Sequence, residues 1–284
     1  MAALAGYNAL NLSMIREGHE LLRQSLDASS AGGEEPNPYA LIALALEALV
    51  TNRPDDSRNY SEEALTRARA SREPYTEAEC LSLCSITISM TSEGTEGLKL
   101  ADEALDVARP LDSDWLLSLA LEAAGIARYR TDPAAAVALL DESVIATYAA
   151  FAIHDQALHF KGVAHVILRQ YGEAAQAFDS SLAVYHASGA KYYESMILAA
   201  TARLLIRTGS TSSATQLLAS LERLREDGRI VGAPHDLASQ HQLRERLQGT
   251  LEPDEFADLW ATGRRLTLDD AVRLARAELS RVAS

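Results

Sequence analysis

Cysteine is nearly missing from this chain of 284 residues, which has two, Cys80 and Cys84, four positions apart. So few exclude a disulfide-stapled secreted scaffold, and the spacing sets both on one face of a helix as small buried hydrophobes. Such thiols fit a reducing cytoplasm. Glycine (15) and proline (8) are scarce and aromatics make up 6%, while Ala, Leu, Glu and Arg dominate, which suits helices and argues against a sheet. Positive charge is in deficit as well: 26 Lys and Arg face 40 Asp and Glu, a formal net charge of −14. A surface of that sign repels phosphate backbones and anionic lipid heads, so no direct nucleic-acid or membrane partner is expected. No apolar run approaches the ~18 residues of a membrane span, and the N-terminus lacks the basic segment and long apolar stretch of a signal peptide. Chemical motifs are missing too. There is no phosphate-cradling Gly-x-x-x-x-Gly-Lys-Ser/Thr loop and no Gly-x-Ser-x-Gly elbow, so no cofactor and no catalytic activity are expected.

What is present is a repeat. The anchors Leu26, Leu65, Leu105, Val144, Leu182 and Leu221 are separated by 39, 40, 39, 38 and 39 residues. One position before each anchor stands a small residue: Ser25, Ala64, Ala104, Ser143, Ser181, Ser220. Eight before it is a second set, Gly18, Ser57, Gly97, Ala136, Ala174 and Ser213, and twenty before it a third, Gly6, Ala45, Ser85, Ala124, Gly162 and Thr201. A fixed period of this length marks a solenoid whose units bury their apolar faces against their neighbours. Each unit reads as two antiparallel helices, A then B, and the small columns mark where the helices cross closely. The turns are placed at Asn52–Asp55, Ser92–Gly94, Thr131–Pro133, Gln170–Glu173 and Thr208–Ser210, each combining a helix stop with an N-cap or a first-turn proline. The spacing predicts six repeats over 1–232 and C-terminal capping helices over 233–284, at Pro234–Gln248, Pro253–Ala261 and Leu268–Val282. The loop Ala31–Pro38 is crossed by the period and is not a domain boundary.

The three small columns resemble the tetratricopeptide repeat family over roughly residues 2–230. Gly162, Ala174 and Ser181 of the fifth unit match the family's small positions, as do their equivalents in the other units. The period here is about 39 residues against 34 in the basic family, which implies longer helices or loops. The resemblance implies an all-α, right-handed superhelical solenoid of paired antiparallel helices. The segment Asp254–Val272 is similar to the region closing the repeat domain of large actinobacterial regulators, which join a nucleotide-switch (STAND) ATPase module to helical repeats, often with a LuxR-type DNA-binding domain. Thr267, Asp269 and Asp270 are also good N-terminal helix chemistry in their own right. Met1 falls inside the first helix A without a cap, from which the chain is expected to be a domain of something longer.

The implied role is a non-catalytic protein–protein interaction or ligand-sensing domain of a cytoplasmic bacterial transcriptional regulator. Its partner would be a protein or peptide, or other domains of the same polypeptide (ATPase, DNA-binding). A free-standing homodimeric scaffold is the alternative, and an enzyme using the superhelix interior as a pocket a remote one. Carrying the family's register across, the concave wall would hold Tyr7, Asn11, Tyr39, Ile42, Leu46, Leu49, Ser82, Ile86 and Met90. It would continue through Leu121, Arg128, Tyr129, His159, Val163, Val166, Leu198, Leu205 and Ile206. That wall is mostly apolar, and the Lys and Asn set that clamps a peptide carboxylate in the family is absent. It reads either as a groove for an amphipathic helix or apolar ligand, with Arg128, Tyr129 and His159 as polar contacts, or as a surface buried by curvature or by another domain. His154, Asp155, His159 and His165 hold metal-ligating types, but sequence places no third ligand, so no metal is expected. Arg264, Arg265, Arg273, Arg276 and Arg281 read as a solvated helix face complementing the helix dipole, or else as a docking site for an acidic partner.

Overall fold

The structure, a computed structural model, describes residues 15–32, 37–51, 53–92, 94–149, 156–230 and 234–284. Among these residues it is all-α, with fourteen helices and no strand. They are α1 (Ile15–Gly32), α2 (Pro38–Val50), α3 (Pro54–Ser71), α4 (Pro74–Thr91), α5 (Glu96–Ala108), α6 (Asp114–Arg128) and α7 (Pro133–Ala149). There follow α8 (Gln156–Ile167), α9 (Tyr171–Ser188), α10 (Lys191–Thr208), α11 (Thr211–Glu226), α12 (Pro234–Gln248), α13 (Pro253–Gly263) and α14 (Leu268–Ala283). Six of the eight prolines open a helix, where the missing N–H costs nothing and φ is already helical. The turns expected at Asn52–Asp55, Ser92–Gly94, Thr131–Pro133 and Thr208–Ser210 each overlap a break between paired helices. The fifth pair differs: Tyr171–Glu173 is already helix, and the turn is made by Arg169 in the left-handed region at φ 60°. Asn37 caps α2 through its Oδ1, which accepts from the Tyr39 N–H at 2.9 Å.

The chain divides into two compact units, Met1–Lys161 and Gly162–Ser284, with the division inside α8. In the first unit each helix packs on its sequence neighbour, α2 on α3, α4 on α5, α6 on α7, with α3 on α4 and α5 on α6 between pairs. The A helices also pack on one another, α2 on α4 and α4 on α6. The small columns explain how. Ala45, Ser85 and Ala124 are buried on the A helices, and Ser57, Gly97, Ala136, Ala64, Ala104 and Ser143 on the B helices. A Cβ on Gly97 would stand 2.1 Å from Ser89 Oγ and 3.1 Å from Ser85 O, so only glycine allows α5 to approach α4 so closely. Several buried hydroxyls are satisfied across these crossings, although Ser57 Oγ has no hydrogen-bond partner. Ser85 Oγ donates to Gly97 O at 2.8 Å, Ser143 Oγ donates to Ser118 O at 2.8 Å, and Ser61 Oγ lies 2.9 Å from Thr87 Oγ1. Gly6, in the first row of that column, lies outside the described residues.

The second unit repeats the pairing with α10 on α9 and α11, then departs from it. Its last helix does not simply follow α13 along the stack. α14 turns back and packs on α9, α10 and α11. Its start is fixed by a capping box: Thr267 Oγ1 accepts from the Asp270 N–H at 3.1 Å, and Asp270 Oδ2 accepts from the Thr267 N–H at 3.0 Å. Its inner face buries Ala271, Val272, Ala275 and Leu279 in one core with Phe178, Leu182, Leu198, Leu217 and Leu221. α13 crosses α11 at Gly263, where a Cβ would meet Gln216 O at 2.3 Å and Gln216 Cα at 2.6 Å.

Candidate functional site

The wall expected to face a partner is built by the stacked A helices of the first unit, and the structure sorts its residues by exposure. Ile42, Leu49, Ser82, Ile86 and Leu121 are buried within that unit. They form the seam between α2, α4 and α6 and offer no surface to a ligand. His159 is buried as well, its ring edge-on to Phe160 at 5.1 Å between centroids. In the second unit Leu198, Leu205 and Ile206 are likewise core, and Val163 and Val166 pack partly buried against it. The residues that keep solvent-facing area are Tyr39, Leu46, Met90, Arg128 and Tyr129. Tyr7 and Asn11 lie outside the described residues. A helix with apolar side chains all round is a buried helix, and α4, with ten buried residues from Ala78 to Ile88, is one.

The polar groups along this wall are held by their own unit. The Arg128 guanidinium donates to Ala124 O at 3.2 Å and to Asp102, fixing it on the first unit. Tyr129 stands 5.3 Å from the Phe160 ring, with the Arg130 guanidinium over its own ring at 5.1 Å. At the opposite end, Tyr39 Oη lies 3.4 Å from Thr76 Oγ1 and also reaches Glu79. Burial pushes the Glu79 carboxyl up to about 7, and the Tyr39 hydrogen bond pulls it back in part. This carboxyl was not legible as a feature, because nothing in its neighbours in sequence signals that α2 will cover it. Cys80 and Cys84 sit one turn apart in the same interior. Both are buried, Cys84 Sγ donates to Ser61 O at 3.1 Å, and burial pushes its thiol up to about 12, so neither is a ready thiolate.

A second buried carboxylate, Glu47, pairs with Arg53, which also donates to Asp56 at 2.9 Å, and lies 3.4 Å from His19. Groups of three or more His, Cys, Asp or Glu able to hold a metal are absent among the described residues. His165 Nδ1 lies 2.7 Å from Gln170 Oε1, and His154 and Asp155 lie outside the described residues.

In the second unit the C-terminal arginines are staples. Arg276 binds Asp179 through two N–H groups at 2.7 and 3.1 Å, Arg264 donates to Glu226 at 2.6 Å, and Arg281 pairs with Glu278. Arg273 pairs with Asp270, next to the cap of α14. Between α11, α12 and α13 lies a cavity of about 100 Å³, with Trp260 on its wall and the Arg244 guanidinium over the indole at 4.5 Å. Sequence reading missed this place because its residues come from three separate helices. No helix among the described residues is long and apolar enough to cross a membrane. The chain matches no protein-family profile, and a search of curated proteins gives no match to it either.

Proposed function

We propose that this chain is a non-catalytic protein-interaction module, a right-handed superhelix of tetratricopeptide-like helix pairs serving a cytoplasmic bacterial transcriptional regulator. The observation that carries the reading is the order of packing in the first unit. A helices α2, α4 and α6 stack in sequence order, each with its own B helix, as a repeat wall requires. The wall residues Tyr39, Leu46, Met90 and Tyr129 keep solvent-facing area and offer contact surface. The partner fitted to such a wall is a helix or extended segment carrying apolar anchors, in a protein or in another domain of the same polypeptide.

The test places a photo-crosslinking residue at position 39 in the protein expressed in its native cells, with and without Leu46→Asp and Met90→Asp. Both substituted positions keep exposed area, whereas Ile86→Asp would bury a charge and test folding only. The expected result is one discrete adduct that the double variant abolishes at unchanged melting temperature. Adducts of equal yield in both proteins would overturn the reading. An adduct of twice the chain's own mass would transfer the wall to the homodimeric scaffold.

A further inference from the structure

The cavity between α11, α12 and α13 has a chemical character of its own, independent of the repeat wall. Its volume is about 100 Å³, well below that of a drug-sized site, which limits an occupant to one small ring. It exists because α12 is mostly polar and fills its seat against α11 incompletely, with Leu237 as its apolar contribution there. Leu218 of α11 and the Trp260 indole complete an apolar floor. The indole is held rigidly, with Phe256 stacked on it at 5.3 Å and 23° and the Arg244 guanidinium over it at 4.5 Å.

Around this floor the rim is rich in donors: the guanidinium groups of Arg225 and Arg244, the Gln240 amide and the His241 ring. The carboxylate on the lining, Glu222, accepts from Arg244 at 2.9 Å and faces Arg264 at 3.5 Å, so its charge is already countered. Arg225 donates to Gln240 Oε1 at 2.7 Å. A guanidinium has five N–H donors in a planar fork, so the bond to Glu222 does not exhaust Arg244. Donors above a flat apolar floor select a flat ligand with acceptors at one end.

We propose that this cavity binds a small aromatic carboxylate of benzoate size, its ring against Leu218, Leu237 and Trp260 and its carboxylate on Arg244. The ligand would touch all three helices at once and so fix α12 in its seat, as any ligand stabilises the state it binds. The experiment titrates the full chain with sodium benzoate, followed by protein-observed NMR, against benzamide (the same ring without charge) and acetate (the charge without the ring). Benzoate is expected to bind saturably, about tenfold or more tighter than either control, and to slow amide exchange in α12. Arg244→Gln is expected to weaken it by about tenfold or more. His241 is 70% exposed on its side chain, so His241→Trp plugs the mouth without touching the core and should abolish binding in a folded protein. Equal affinity for benzoate and benzamide would overturn the proposal. So would benzoate binding that both variants leave unchanged, or no saturable binding at all.

Discussion

The first compact unit holds 25 Asp and Glu against 12 Lys and Arg, and the second 15 against 14, so nearly all of the net charge of −14 sits in residues 1–161. The two halves also use their ion pairs differently. In the first, cations reach about one repeat along the chain, as in Arg58 with Glu96 and Arg69 with Glu103. In the second, Arg276 reaches back 97 residues to Asp179 and Glu278 reaches 65 to Ser213. A unit built from nearest-neighbour contacts adds its stability repeat by repeat, whereas one closed by long-range contacts stands or falls together. The lesson is that a regular period in sequence does not imply a uniform style of folding along it.

The sharpest way to break the comparison is Gly263→Ala. Its Cβ would strike the Gln216 backbone, which cannot swing aside as a side chain does. The second unit should lose about 3 kcal/mol in a single cooperative step, and denaturant unfolding monitored by amide exchange should leave α2–α7 protected. Loss spread evenly over both units would refute the long-range closure. The next largest effect belongs to the first unit and to pH. Glu79 binds its proton more tightly folded than unfolded, because burial raises its carboxyl to about 7 from an ordinary value near 4.5. Its contribution is therefore fully present below about pH 4.5 and is lost as pH rises to 7, on the order of 2 kcal/mol. Glu79→Gln should flatten that slope, and Tyr39→Phe should steepen it by removing the bond that favours the ionised form; thermal melts from pH 4 to 8 measure both.

A smaller loss is expected at the crossing of α3 with α4. Ser61→Ala leaves buried Thr87 without its partner hydroxyl, and about 1 kcal/mol should go from the first unit alone. Because Thr87 Oγ1 also lies 3.1 Å from Leu83 O, Thr87 keeps a bond and the loss stays modest. The smallest effect is Arg276→Ala, about 0.5 kcal/mol, since both partners of that ion pair are largely exposed. It should vanish in high salt, and a salt-independent loss would show that packing of the arginine stem is responsible.

Much of the architecture was legible because it rests on sterics that one residue can state alone. Ala64, Ala104, Ser143, Ser181 and Ser220 had to be small for helices to cross there, and all five are buried. The bounds of α12 could be read from Pro234 and Gln248, and those of α14 from Thr267 and the two aspartates after it. Exposure along the A helices was not legible. Ile42, Ile86 and Leu121 share a register with Tyr39 and Met90, yet stacking of three A helices covers the former and leaves the latter. Which member of a face is covered depends on the neighbour's crossing angle, which no single helix encodes. Gly263 and the Arg244–Trp260 stack were illegible for a related reason: each is a meeting of segments far apart in sequence.

The two tryptophans fall one to each unit, Trp115 at the start of α6 and Trp260 in α13 under the Arg244 cation. The chain thus carries a separate optical reporter for each half. An emission spectrum deconvolved with Trp115→Phe and Trp260→Phe would follow the halves independently in one cuvette, and so time the order in which they come apart.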